Sequence, residues 1–386
     1  MNTQKKSTQL SFIGIFALMI ASSLTIMVGS AIVPAIPQIG EHFQLGNQVS
    51  WLVTIPALGV VLFAVFSGKL IDKIGAYTMM LYGLIGFALF GVCGFLMPTI
   101  QLLFLDRLFL GAATATVMAS STDLISQFFE GAKRLRMIAI QGMAIELGGV
   151  FFLSLSGMLA EISWFASFFI YAIALFPFCL IILYVPHVST TNHIDSLEKK
   201  NTEKNITKTK SITGVLVVTF IGMTIFFTAI ITIPVYLQNT LNYTSTFVGY
   251  YLAFISFTAV IIAGIMPRIV DRFTAKGNLL IGFASYAIAH AIIFYASNTL
   301  LLILGAIFMG IGFGLTQALL NNMVVDRSTK YNKGKNLSLF SMATVLGQFF
   351  SSFVSMFFIG ILAFKAACCL AIISFCLVLI IFKKHT

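Results

Sequence analysis

Charge is what this chain lacks: Asp, Glu, Lys and Arg together make up 9% of its 386 residues, against 59% hydrophobic residues. Soluble domains carry about a quarter charged residues, so this sequence has too little polar surface to face water. It also lacks the alternation of apolar and polar positions over about ten residues that a membrane β-barrel needs. Apolar runs of about 20 residues recur instead, each closed by a short polar stretch, and that length carries a helix across a bilayer. The fold class that follows is an all-α membrane protein of about 12 transmembrane helices.

Further absences narrow the function. Cys93, Cys179, Cys368, Cys369 and Cys376 all lie in apolar runs, at neither metal-ligand nor disulfide-framework spacing, and read as small buried hydrophobes. No metal or cofactor is expected. No G-x-x-x-x-G-K-[ST] loop or soluble nucleotide domain is present, which argues against direct use of ATP. A polytopic membrane enzyme would need a nucleophile, base or metal set clustered at one membrane face, and none is evident. The first apolar run follows Lys5 and Lys6 as a signal peptide would, but it is long and more spans follow, so it reads as a retained helix.

The net charge of +11 could point to nucleic acid, so its distribution decides. Every Lys and Arg except Arg107 and Lys365 falls in one alternating set of segments: Lys5 and Lys6; Lys69 and Lys73; Lys133, Arg134 and Arg136; Lys199 to Lys210; Arg268, Arg272 and Lys276; Arg327 to Lys335; Lys383 and Lys384. That is the positive-inside pattern, and it places both termini on the cytoplasmic side with no nucleic-acid partner.

The spans are expected near 10–32, 49–67, 77–97, 100–126, 137–159, 164–185, 212–235, 246–266, 278–296, 299–323, 337–360 and 363–382. Residues 1–185 then form an N-terminal six-helix half, 186–211 a polar cytoplasmic linker, and 212–386 a C-terminal six-helix half. Sliding the chain by 199 positions aligns Val49 with Val248, Asp72 with Asp271, Lys73 with Arg272, Gly111 with Gly310, Met143 with Met342, Leu147 with Leu346 and Gly148 with Gly347. The first and seventh spans match at 200, pairing Pro34 with Pro234 and Gln38 with Gln238. Six spans return the second half in the same orientation, which gives parallel repeats with a substrate site expected between them, near the midplane.

The loop after the second span reads Gly68, Lys69, Leu70, Ile71, Asp72, Lys73, Ile74, Gly75, echoed by Pro267, Arg268, Asp271 and Arg272. Here the chain resembles the major facilitator superfamily, whose signature at this turn is G-x-x-x-D-[RK]-x-G, and the resemblance covers essentially the whole chain. It implies a transporter fold in which Gly68 permits close backbone approach and Asp72 latches a gate against helix amides or a basic partner. The family's further basic residues are replaced here by Ala76 and Tyr77.

The fourth span carries Asp106, Arg107 and Gly111, and this R-x-x-x-G resembles the element of proton-driven efflux members in which the arginine is assigned to proton relay. An arginine inside an apolar span should face the bundle interior beside a carboxylate. Asp106 is its neighbour and points about 100° away, so a carboxylate from another helix is the expected partner; snorkelling to the outer interface is the alternative. In the fifth span the family's G-x-x-x-G-P-x-x-G-G falls on a stretch with Phe152 and Leu153 where Gly-Pro belongs, leaving Ser156 and Gly157 as its final pair. Pro34 and Pro37 fit the antiporters' proline-rich element equally well as simple helix termination.

Glu146 is the deepest carboxylate, about 15 Å in from Arg136 at 1.5 Å per residue. A charge there is costly, and with Arg107 near it Glu146 is the leading candidate proton carrier, followed by Asp106 and Asp123; a protonated or paired structural acid is the competing reading. The second half has no carboxylate in its spans. Its candidate substrate wall is Thr224, Phe227, Thr228, Tyr250, Phe254, Gln317, Asn321 and Gln348, a mixed aromatic and amide lining suited to an amphipathic organic molecule. His290, alone on the ninth span, reads as structural. The function expected is a proton-coupled exporter of small amphipathic compounds, drug-like or a metabolite such as a siderophore, acting as a monomer in the bacterial cytoplasmic membrane. Import, facilitated transport and sensing without transport remain alternatives.

Overall fold

The computed structural model describes residues 10–187, 211–329 and 332–382. Lys5, Lys6, Lys199, Lys200, Lys204, Lys208, Lys210, Lys330, Lys383 and Lys384, with nearly all of the linker, lie outside the described residues, as do the side chains of Pro267 and Asp271.

Among the described residues twelve helices are long and apolar enough to cross a membrane, and there is no strand. They are α1 (Phe12–His42), α2 (Gln48–Ile74), α3 (Ala76–Leu96), α4 (Ile100–Phe128), α6 (Ala166–Tyr184), α7 (Thr213–Asn239), α9 (Ala275–Tyr295), α10 (Thr299–Asp326), α11 (Lys333–Phe357) and α12 (Leu362–Ile381), with α5 (Gly131–Ile162) and α8 (Ser245–Arg272). Each expected span corresponds to one helix. Several helices overrun the apolar run: α1 continues ten residues past position 32, and α5 starts before Arg136. Hydropathy registers only the part in hydrocarbon, whereas backbone hydrogen bonding carries a helix on into the headgroups.

Helix starts follow local chemistry. Thr99, Thr244, Thr274 and Asn298 each accept a hydrogen bond from a first-turn amide, of Leu102, Phe247, Gly277 and Leu301 respectively, the usual N-cap arrangement. The α2–α3 turn is the single residue Gly75 with φ +88°, a conformation open to glycine. The corresponding α8–α9 turn uses extended Phe273 followed by the Thr274 cap. In α1, Pro34 and Pro37 lack the amide a helix needs, so the helix runs regularly to Ser30, tightens at Val33–Ala35, and resumes over Ile36–His42.

Contacts divide the chain into two units that do not follow the sequence halves. One contains Gly59–Gly148 with the described parts of Met1–Val28 and Phe168–Ile206. Inside it Gln141 of α5 donates to Ser121 of α4 at 2.6 Å and to Ser22 of α1 at 3.0 Å, all three buried. The other contains Gly29–Leu58, Gly149–Ser167 and the described part of Thr207–Thr386. Its core centres on α7, whose Phe226 stacks on Phe313 of α10 at 4.1 Å, with Ile225, Ile233, Phe283, Tyr286 and Leu319 around it. His290 is fully buried there, its Nδ1 2.8 Å from the Tyr286 carbonyl oxygen.

Candidate functional site

The strongest concentration of charge inside the helices lies about 10 Å along α4. Arg107 is fully buried and Asp106 nearly so, and the guanidinium holds one carboxylate oxygen twice, Nη2 to Asp106 Oδ2 at 2.7 Å and Nε to the same atom at 3.1 Å. This is the one ion pair within 4 Å among the described residues. The expected partner from another helix is therefore replaced by the sequence neighbour: the long arginine side chain turns back over Asp106, because both are drawn to the end of α3. There Nη2 also donates to the carbonyls of Phe90 and Gly91 at 2.8 and 3.1 Å. These belong to the last α-helical turn of α3, where carbonyls lose their helical donors and a cation is favoured.

Aromatic faces complete the enclosure. The guanidinium carbon lies 5.1 Å from the centroid of Phe168 and 5.4 Å from that of Tyr171, both on α6, within cation–π range. Tyr171 in turn donates to Val28 O of α1 at 3.1 Å. Two glycines make the space: a Cβ on Gly94 would collide with the guanidinium and stand 2.6 Å from Phe168, and one on Gly91 would collide with Tyr171. Asp106 Oδ1 and Arg107 Nη1 remain without a protein partner. Snorkelling is excluded by the complete burial of Arg107.

Glu146 is half-buried on α5 and makes no hydrogen bond or ion pair among the described residues, so the expected pairing with Arg107 is not formed. Asp123 is half-buried and accepts a hydrogen bond from Gln127, one turn along α4, at 3.0 Å.

The repeat shows how specific these groups are to the first half. At an offset of 199, Asp106 corresponds to Gly305, Arg107 to Ala306, Glu146 to Val345 and Gln141 to Phe340. The packing has exchanged sizes as well: Gly94 corresponds to Ile293, and a Cβ on Gly305 would stand 2.6 Å from Ile293. Where one half clears a small residue on α3 for a charge on α4, the other clears one on α10 for a branched alkyl group on α9.

The proposed substrate wall divides. Thr224, Thr228 and Thr232 do share a face of α7, but all three are buried and their hydroxyls return to carbonyls one turn back, at 2.9, 2.7 and 2.7 Å. Thr224 reaches Gly347 O of α11 as well, at 3.1 Å. The hydroxyls of Thr224 and Thr228 are thus taken up by backbone carbonyls. Tyr250 and Phe254 lie on an exposed face of α8 continued by Phe257, Ile261 and Ile265. Gln317 is half-buried and donates to Thr344 of α11 at 3.3 Å; Phe227 and Gln348 are half-buried and Asn321 is exposed.

At the α2–α3 turn Lys69, Asp72 and Lys73 are exposed, as are Arg268 and Arg272 near the α8–α9 turn. Asp72 closes no ion pair within its unit. Gly68 does not serve close backbone approach, since a Cβ there would meet nothing within 4 Å. Gly75 is the glycine with a structural requirement. On α5, Gly157 does face a helix at close range: its Cβ would stand 2.8 Å from the Cα of Gly249 on α8, so the pair Ser156 and Gly157 keeps its packing role without the Gly-Pro bend.

Sequence reading missed Gln141 with Ser22 and Ser121, and the glycines around Arg107. The G-V-C-G spacing of Gly91 and Gly94, one span before a lone intramembrane arginine, was the available signal.

Comparison with known proteins agrees with this architecture. The tetracycline resistance protein, class B, of Escherichia coli is 25% identical over 69% of this chain and 69% of that protein. The quinolone resistance protein NorA of Staphylococcus aureus is 26% identical over 43% of this chain and 44% of its own. Riboflavin transporter RibZ of Clostridioides difficile is 30% identical over 37% of this chain, and the match spans about a third (31%) of that protein; the match to the uncharacterized transporter YceJ of Bacillus subtilis spans 35% of it. Among solved structures, an inward-facing bacterial homologue of the lysosomal transporter Spinster superposes with a TM-score of 0.77 at 13% identity, covering 95% of this chain and 96% of that one. The D-xylose–proton symporter gives 0.75 at 15% identity, covering 95% and 97%. With a family model matched over residues 18–352, the chain belongs to the Major Facilitator Superfamily and is a multi-pass membrane transporter rather than an enzyme.

Proposed function

We propose that the chain is a proton-coupled exporter of small amphipathic organic compounds, working as a monomer in the bacterial cell membrane with both termini in the cytoplasm. The observation that carries this reading is the confinement of membrane-depth carboxylates to the first half: Glu146 without a salt bridge, and Asp106 in its enclosed pair with Arg107, where the second half has Val345, Gly305 and Ala306. A carboxylate that is half-buried and unpaired at that depth exchanges its proton for little structural cost, which is the requirement on a carrier. If proton and substrate compete for Glu146, each weakens the binding of the other by one factor, and exchange follows. The resistance proteins among the relatives support export of drug-like molecules. Exposed Asp72 with Lys69 and Lys73 supplies the inner gate, with Gly75 setting its turn.

Import of a metabolite is the second reading, favoured by the partial match to a riboflavin transporter. One measurement separates them. Purified protein is reconstituted in vesicles with a trapped pH dye, and tetracycline, a quinolone or riboflavin is added. Exchange moves protons against the substrate, symport moves them with it, and substrate flux without proton movement overturns coupling.

A further inference from the structure

Within the second unit, the start of α9 and the ends of α10 and α12 line a cavity of about 300 Å³. Its charged groups are Lys276 in the first turn of α9 and Asp326 with Arg327 at the end of α10; its aromatic wall is Phe382, one residue past α12. At an offset of 199 the same places hold Tyr77, Gln127, Phe128 and Leu183. The charge therefore belongs to the second half alone, as the Asp106–Arg107 pair belongs to the first.

Both cations are half-buried, and both are held without an acid. Arg327 donates Nη1 to Ser211 O at 3.0 Å and sets its guanidinium carbon 5.3 Å from the centroid of the Phe382 ring; the rest of its fork is unclaimed among the described residues. Lys276 Nζ reaches Leu379 O, in the last turn of α12, at 3.4 Å. Neither closes an ion pair among the described residues, with Asp326 or any other carboxylate. The backbone of α9 adds donors to the same wall. Thr274 Oγ1 accepts from the Gly277 amide at 3.2 Å and Thr274 O from the Asn278 amide at 3.0 Å, so the cap is spent on later amides. Those of Ala275 and Lys276, residues that line the cavity, stay unclaimed among the described residues, at the positive end of the helix.

We propose that this cavity is a phosphoryl-anion site, taking a phosphate ester whose oxygens bridge Lys276 and Arg327 and so fasten the start of α9 to the ends of α10 and α12. A planar guanidinium already oriented on an aromatic face offers two parallel donors to such a group, and lysine adds a point charge. Asp326 is exposed at the same cavity and opposes the anion, which keeps binding weak and reversible. Two sources carry this chemistry. One is the headgroup of a membrane phospholipid, since basic pockets where spans end take lipid headgroups and Met323 and Phe382 give its glycerol an apolar wall. The other is a soluble phosphate ester.

The test is ligand-dependent thermal stability of the purified full chain in a neutral maltoside detergent. Phosphatidylglycerol, dioleoylglycerol and glycerol 3-phosphate are titrated separately, the second supplying acyl chains without a phosphoryl group and the third a phosphoryl group without chains. Phosphatidylglycerol should raise the melting temperature saturably and dioleoylglycerol should not. A rise with glycerol 3-phosphate as well makes soluble esters ligands too, and silence there makes the lipid the source; both support the site. Lys276→Tyr with Arg327→Phe, which copies Tyr77 and Phe128, should raise the half-saturating concentration about tenfold or more, the loss of at least one charge-assisted bond. Asp326→Asn should lower it about threefold by removing the opposing charge, a gain that a purely structural cluster would not give and that does not depend on the double variant folding. Lys133→Gln with Arg134→Gln, which removes two exposed cations from the first unit, should leave it unchanged. Equal responses to phosphatidylglycerol and dioleoylglycerol, an unmoved half-saturating concentration in the cavity variants, or an equal shift in the Lys133 and Arg134 control would overturn the assignment.

Discussion

Arg107 occupies a pocket that no other side chain fits. Its planar fork spans Asp106 and two carbonyls while its face meets two aromatic rings, and lysine offers neither the fork nor the face. Arg107→Ala strands a buried carboxylate, which costs about 3–5 kcal/mol. The second half shows the cure. The double substitution Asp106→Gly and Arg107→Ala copies Gly305 and Ala306, strands no charge, and should recover part of the lost thermal stability in detergent. If it recovers stability but not transport, the charge pair acts in the cycle; if transport returns too, the pair is a fastening only. Glu146 calls for a separate test. Glu146→Gln keeps shape and neutral hydrogen bonding while removing titration, so substrate binding should persist with a flattened pH dependence and loss of proton-driven uptake into inverted vesicles. Unchanged uptake would make Glu146 structural.

At the scale of elements, the α2–α3 and α8–α9 turns solve one problem twice. Gly75 reverses the chain in one residue at φ +88°, where the α8–α9 turn spends an extended residue and a capping threonine. Gly75→Ala should cost about 1–3 kcal/mol in backbone strain, and Thr274→Ala about 1 kcal/mol as a lost cap; melting temperatures of the two variants measured side by side check the order. All twelve helices were legible in the sequence because hydrocarbon forbids any unpaired backbone, so every span had to be apolar and long. What the side chains do within a span was less legible. Helical spacing sets Asp106 and Arg107 about 100° apart, yet a side chain as long as arginine overrides that angle when carbonyls at another helix end attract it. The threonine stripe on α7 follows from four-residue spacing, but threonine in a helix readily returns its hydroxyl to the carbonyl one turn back, and a buried stripe that does so presents methyl groups. Gln141 escaped notice because nothing in α5 marks it until α1 and α4 bring serines to it.

For the whole molecule, the charge rule makes a plain forecast. Cysteines introduced within 186–211 should react only from the cytoplasmic side and those near Asn239 only from outside; reaction from one side at both would dismantle the six-plus-six arrangement. The unequal chemistry of the halves has a counterpart in the contacts. Gly29–Leu58 and Gly149–Ser167 are first-half sequence, but they pack in one unit with α7 to α12. Severing the chain within the linker would consequently leave the first fragment with two surfaces shaped for the second. Fragments 1–185 and 212–386 made from separate genes should therefore complement one another in the same cell, each protecting the other from membrane proteases, and either one made alone should be degraded.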